Sequence, residues 1–390
     1  MKKLILLAVM VPMVPACSWT QFDDLADSTP ARATEKPDGV KSSDYGIVVV
    51  GATVPSNTSG GTIAVLSAGP GNFSTLELDP GGKVQNLGDS ESLGQHTIDS
   101  LTGNAALLFD GVGSIALVDN SNVGTIIAVT GNTSGLSVDT QVGSSAHPVG
   151  TAFANGELVV AVEPAAGMPN VFSAKGTAVV NCTLNDDTGM PLAAAAIAID
   201  GTKLWAYAKT GAFFGYDLAA LDLMSTCTNL APTSAVAMAG PAPNGGHIDV
   251  IAGKFAIVTS FDTTTTTAGQ VQVVATSPTV ALVGTAIAAS GVRSAAFATL
   301  SDQGMVVLGY PNRADTTTTG AGAVDLHTIA LGTGMLDATP AQILTIPGVE
   351  TNHLFGRSVT TTNYNGKPIV VASASNTVYS FYATALYEAR

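Results

Sequence analysis

Five histidines, His96, His147, His247, His327 and His353, are the side chains of this 390-residue chain best suited to metal or acid–base chemistry. Their spacing separates them: no two stand at the short intervals by which a helix or hairpin aims two imidazoles at one ion. They read as isolated turn or surface histidines, and no metal or cofactor is expected. Asn185-Asp186-Asp187 brings two acids together in a loop that also holds Thr188 and Gly189, an arrangement that solvates its charges. No Gly-x-Ser-x-Gly elbow, phosphate loop or dinucleotide fingerprint stands between a strand and a helix, so no catalytic residue is assigned. Cys182 and Cys227, each followed by Thr, are a candidate disulfide.

The elements that would have to position such groups are short strands. Charged residues are only 11% of the chain, hydrophobic residues 46%, and glycines number 42, a composition poor in helix formers and rich in turn formers. The formal charge of −14, with 15 basic residues thinly spread, leaves no positive stripe to neutralise phosphates. Nucleic acid is therefore excluded as a partner.

A Gly turn followed by an apolar strand recurs along the chain. The copies are Gly46-Ile47-Val48-Val49-Val50, Gly113 to Val118, Gly156 to Ala161, Gly201 to Tyr207, Gly253 to Val258, Gly304 to Leu308 and Gly366 to Val371, at intervals of 43 to 67 residues. Each is followed by a second strand, as in Thr62-Ile63-Ala64-Val65-Leu66, Gln270-Val271-Gln272-Val273-Val274 and Thr377-Val378-Tyr379-Ser380-Phe381. Repeats of this length built from strands belong to arrays of four-stranded blades. The expected fold is all-β, a β-propeller of seven blades with mostly four antiparallel strands each, over residues 45–390. Closure of the ring would have one end of the chain complete the blade at the other. Cys182 and Cys227 fall at equivalent places in neighbouring copies, where outer strands lie beyond the ~7 Å Cα separation a disulfide tolerates. A bridge would then need both in loops that lean together. Thr263 to Thr267 and Thr316 to Thr319 read as exposed hairpin loops.

Residues 1–16, with Lys2, Lys3 and the apolar run from Leu4 to Val14, form a secretion signal too short to span a bilayer. Its end, Val14-Pro15-Ala16-Cys17, resembles the lipid-attachment box of bacterial lipoproteins, with Pro15 where a small residue is usual. The resemblance implies acylation of Cys17, and Ser18 beside it favours the outer membrane over the inner. Residues 17–44 are polar, carry Pro30 and Pro37, and read as a flexible tether reaching about 30 Å. Trp19 and Phe22 lie next to the lipid site.

Phe355-Gly356, followed by a turn at Asn363-Tyr364-Asn365-Gly366 and the strand Ile369-Val370-Val371, resembles the FG-GAP repeat of integrin α-chains and bacterial surface proteins. Gly51-Ala52-Thr53 is similar to its second half, and Leu93-Gly94 and Val149-Gly150 are degraded first halves. That family often binds calcium through alternating acids in the turn. Here the turns carry single Asp or Asn residues before Gly, as at Asp110, Asn155, Asp200 and Asp302, which suit αL turns and supply too few carboxylates for a hard cation. The expected function is a lipid-anchored, monomeric envelope propeller that binds a protein or glycan without catalysis. Two alternatives stay open. One is a lactonase-like or glycan-processing enzyme with its site in the central channel, which Asp, Glu, His and Asn from several blades would mark. The other is a scaffold for outer-membrane assembly. An integral outer-membrane barrel is set aside, since aromatics are 6% of residues and the lipid gives another means of attachment.

Overall fold

In the computed structural model, the described residues before 148 are nine strands between Val40 and Val142, given by their backbone. From 148 to 383 most of the chain is described with its side chains. Cys17, Trp19, Phe22, His147 and the threonines 263–267 lie outside the described residues, as does the side chain of His96.

Strands make up nearly all the regular structure, and among the described residues they pair into seven sheets. In chain order the first sheet is Val48–Ala52, Thr62–Ser67, Pro70–Glu77 and His96–Thr102; the second is Ala105–Phe109, Ser114–Asp119, Ile126–Asn132 and Gly135–Val142. The third runs Pro148–Ala154, Glu157–Val162, Val171–Lys175 and Ala178–Leu184. The fourth runs Ala194–Asp200, Lys203–Ala208, Ala212–Asp217 and Ser234–Ala237. The fifth is Gly245–Ile251, Phe255–Phe261, Gln270–Ala275 and Ala281–Ala288. In the sixth, Ser294–Leu300, Gln303–Tyr310 and Ala323–Ala330 are followed by two short strands, Met335–Leu336 and Gln342–Leu344, that share one edge. The seventh contains Val359–Tyr364, Lys367–Ser373 and Thr377–Tyr382.

The first strand of each sheet packs against the first strand of the next, and Val359–Tyr364 of the last packs against Val48–Ala52 of the first. The row of sheets is thereby a closed ring with the first strands innermost. Closure is made by the amino-terminal segment. Val40–Lys41, inside the stretch read as tether, pairs antiparallel with Thr377–Tyr382 as the outer strand of the seventh sheet, with Val40 opposite Val378 and Lys41 opposite Thr377.

Position in the ring explains the sequence signal. Second strands lie between neighbouring sheets on both faces, so Glu157–Val162 is buried throughout and Gln303–Tyr310 is buried from Gly304 onward. They therefore read as unbroken apolar runs. Outer strands face solvent: Ala281–Ala288 is largely exposed and Ser234–Ala237 alternates between half-buried and exposed. Six of the seven Gly-turn copies are these second strands. The copy at Gly46 is instead a first strand, and its true counterpart is Thr62–Ser67 after Gly61. That phase error produced the longest interval in the repeat.

Phe355 and Gly356 earn their place physically. Phe355 is fully buried, edge-on to Tyr379 with ring centroids 5.7 Å apart and tilted against Phe381 at the same distance. It fills the space where the sixth sheet hands over to the seventh. Gly356 has φ +83°, and a Cβ there would meet the Ala323 carbonyl oxygen at 2.6 Å, so only glycine lets the backbone pass. At the same sheet boundary, Thr361 Oγ1 donates to the Phe297 carbonyl at 2.5 Å. Further out in the sixth sheet, Arg313 forks onto buried Asp325 at 2.5 and 2.7 Å and stacks on Tyr310, 3.9 Å from its ring centre.

The cysteines correct their expected placement. After the third strand of the fourth sheet and the short helix Ala219–Asp222, the chain turns back and lays Thr226–Leu230 parallel to Ala178–Leu184, as a fifth strand on the third sheet. Cys182 and Cys227 are direct partners in that register, with Cα atoms 4.4 Å apart and joined as a disulfide. They sit on paired strands of one sheet, within the cluster that also buries Leu184, Tyr216 and Leu221, and leaning loops are not needed. The chain then returns to the fourth sheet as Ser234–Ala237, so the excursion staples two neighbouring sheets. Closing a loop across a separation of 45 residues is worth at most about 4 kcal/mol in the chain-entropy account. Replacing both cysteines by alanine is expected to lower the melting temperature by several degrees without loss of β-sheet circular dichroism. Non-reducing peptide mapping should recover the Cys182 and Cys227 peptides as one species.

Candidate functional site: the axial channel

On the inner side of the ring, described residues of six sheets line an open cavity of about 610 Å³, within the range of small-ligand pockets. Its walls are the innermost strands. Leu108 comes from the second sheet, residues 149–153 from the third, 196–199 from the fourth, 246–250 from the fifth, 293–295 from the sixth and 357–359 from the seventh. Small residues dominate because the strands converge there. A Cβ on Gly150 would meet the Ile197 backbone nitrogen at 3.2 Å, and one on Gly246 the Thr259 carbonyl oxygen at 2.8 Å. Ala194–Asp200, with four alanines in seven residues, follows the same constraint.

Four described lining residues carry or can carry charge: His247, Asp249, Arg293 and Arg357. His247 and Asp249 are two apart on one strand, so both side chains project from the same face. The imidazole Nε2 lies 3.1 Å from Asp249 Oδ1, with the side chains 40% and 20% exposed. Burial works against the imidazolium, but the charge and hydrogen bond of Asp249 outweigh it and raise His247 above its ordinary 6.5. Arg293 and Arg357 each precede an innermost strand, in the matching pairs Arg293-Ser294 and Arg357-Ser358. These segments touch: Ser294 Oγ donates to the Gly356 carbonyl at 2.8 Å. Asp249 Oδ2 and Arg293 Nη1 are shielded from solvent without a hydrogen-bond partner among the described residues.

The other sequence candidates serve the scaffold. His327 is buried on the third strand of the sixth sheet, with Nδ1 3.0 Å from the Asp337 carbonyl oxygen, to which it donates. His353 Nε2 lies 3.0 Å from the Tyr379 hydroxyl. Asp186 closes its own turn: burial opposes its ionisation, but hydrogen bonds from the Thr188 hydroxyl and the Met190, Thr188 and Gly189 backbone hold its carboxyl below the usual range. Asp200, a predicted turn former, accepts the Gly253 N–H at 3.1 Å across to the next sheet, and Gly201 after it has φ +56°. Among the described residues, no three of His, Cys, Asp and Glu gather where a metal ion could sit.

The sequence reading took His247 for an isolated turn or surface residue, and the structure places it in the channel beside Asp249. The available signal was the alternation His247-x-Asp249 ahead of the Gly253 turn. Arg293 and Arg357 were missed altogether, since their proximity exists only once the sixth and seventh sheets are neighbours.

No family model matches the sequence, and no curated protein matches it. Solved structures do match. The β-propeller domain of Cps50 (Swd1) from Myceliophteria thermophila aligns with TM-score 0.57 and 12% identity, over 89% of this chain and 99% of that one. A chain of the mitotic checkpoint complex aligns with TM-score 0.53 and 12% identity, over 98% of each. The fold is a β-propeller. At such low identity the likeness extends to architecture alone.

The raised imidazolium fixes a pH dependence for this propeller. A group whose pKa is higher in the folded state adds stability that is complete below its unfolded value and fades as pH rises through the folded one. His247→Gln should therefore cost stability at about pH 5.5 and progressively less above 6.5, converging on wild type in alkali. Paired thermal melts across that range measure the difference, in which titrating groups that do not contact His247 cancel.

Proposed function

We propose that this propeller is a lipid-anchored, monomeric protein of the bacterial cell envelope, held by acylated Cys17 at the outer membrane, that binds a protein or glycan partner without transforming it. The disulfide is the observation that carries the location. Cys182 and Cys227 are paired and buried, a state that persists in oxidising compartments and is rare where thiols are kept reduced. It supports the export signal independently of it. The tether is then residues 17 to about 39, with the strand at Val40–Lys41 marking where the folded body takes over. The unit around Phe355-Gly356 is proposed as a divergent FG-GAP-like repeat on the strength of its packing role.

A binding role is supported by the channel, whose described lining is mostly Gly, Ala, Val, Ile and Thr, chemistry suited to shape and contact. The enzymatic reading rests on one observation, the His247–Asp249 hydrogen bond within the channel, which could orient a general base. Among the described residues, the hydrogen bonds of that pair add no nucleophile to it.

Membrane fractionation of cells expressing wild type or Cys17→Ala tests the anchor. Wild type is expected in the outer-membrane fraction and the variant in the soluble envelope or medium fraction, while membrane retention of the variant would refute lipid attachment. Protease treatment of intact cells separates surface from periplasmic exposure.

A further inference from the structure

We propose that the axial channel binds a small anion bearing carboxylate or phosphate groups, anchored by Arg293 and Arg357 where the sixth and seventh sheets meet. Of 15 lysines and arginines in a chain of formal charge −14, two line this one cavity, against a single described carboxylate, Asp249. The described lining therefore carries a local positive excess inside an acidic protein, and low-dielectric walls strengthen that field. The matching Arg-Ser pairs, tied by the Ser294 to Gly356 hydrogen bond, bring two guanidinium-bearing segments to adjoining walls. A planar guanidinium offers paired donors that match carboxylate and phosphate oxygens.

Arg293 supplies the second, independent indication. Among the described residues its Nη1 has no hydrogen-bond acceptor and is shielded from solvent, so a ligand oxygen would meet it once the side chain turns toward the cavity, and leaving such a donor unpaired is costly. Arg313 shows the contrast within the same sheet: it is fully engaged by Asp325 through two hydrogen bonds. His247 engages Oδ1 of Asp249, which partly offsets the pull of that carboxylate on the arginines. The site concerns the ring axis only and is independent of how the chain is anchored.

Isothermal titration of the full-length chain with citrate and with inorganic phosphate, at ionic strength matched with chloride, tests the proposal and separates the two ligand chemistries. Saturable one-to-one binding of at least one of them is expected, weakened tenfold or more in Arg293→Gln and Arg357→Gln. The exposed-charge control Lys254→Gln should bind as wild type. Arg293→Lys and Arg357→Lys, which keep the charge and lose the fork, should fold and weaken binding by a smaller factor, covering the case in which a Gln variant is unstable. Absence of saturable binding by either anion would overturn the proposal. So would equal binding by wild type and the arginine variants, or equal weakening in Lys254→Gln.

Discussion

A sheet with two apolar faces cannot stand at the end of a row, and this constraint organises the whole molecule. Each sheet here is covered on both sides only because the row curls until the last sheet meets the first. The seventh sheet has three strands from the carboxy-terminal part of the chain and takes its fourth from Val40–Lys41. Two residues near the start of the folded body thus add a backbone pairing to the packing of the last sheet on the first. The rest follows from the ring: small residues where strands converge, unbroken apolar strands next, and polar alternating strands at the rim.

Polar side chains away from the axis are for the most part engaged by the scaffold. Toward the rim, polar groups are spent on structure: Asp325 is neutralised by Arg313, Asp186 satisfies its own turn, and Asn170, buried, bonds the Leu184 N–H and the Leu184 and Leu192 carbonyls. Shielded polar atoms without a partner among the described residues occur off the axis, as at Asn185 Oδ1 and Thr276 Oγ1, and at the axis they are Arg293 Nη1 and Asp249 Oδ2, the two that belong to charged side chains. Groups that a well-satisfied scaffold leaves unspent are where binding is to be sought. The excursion that carries Cys227 back to Cys182 adds a covalent tie between the third and fourth sheets, away from the axis.

The repeat was legible because second strands are buried on both faces and start after a Gly turn, giving a signal that survives without any alignment. Phe355-Gly356 was legible because its aromatic and its positive-φ glycine are both structurally required. The innermost strands were not: sequences such as Ala194–Asp200 and Gly245–Ile251 are too rich in Ala and Gly to look like strands, and their shape is imposed by crowding at the axis. The site shared that obscurity, since it is built from those strands. The pairing of Cys182 with Cys227 was misplaced for a related reason. Equal spacing suggested equivalent positions in adjacent units, whereas a strand can leave its own sheet and join the one before it.

Ring closure by Val40–Lys41 is the claim on which the architecture turns, and native-state hydrogen exchange tests it most directly. Two chains should be compared, one beginning at residue 36 and one at residue 44, both lacking the anchor. The account predicts a lower melting temperature for the shorter chain and faster exchange confined at first to the amides of Thr377–Tyr382. Identical melting and identical protection of that strand in the two chains would contradict it.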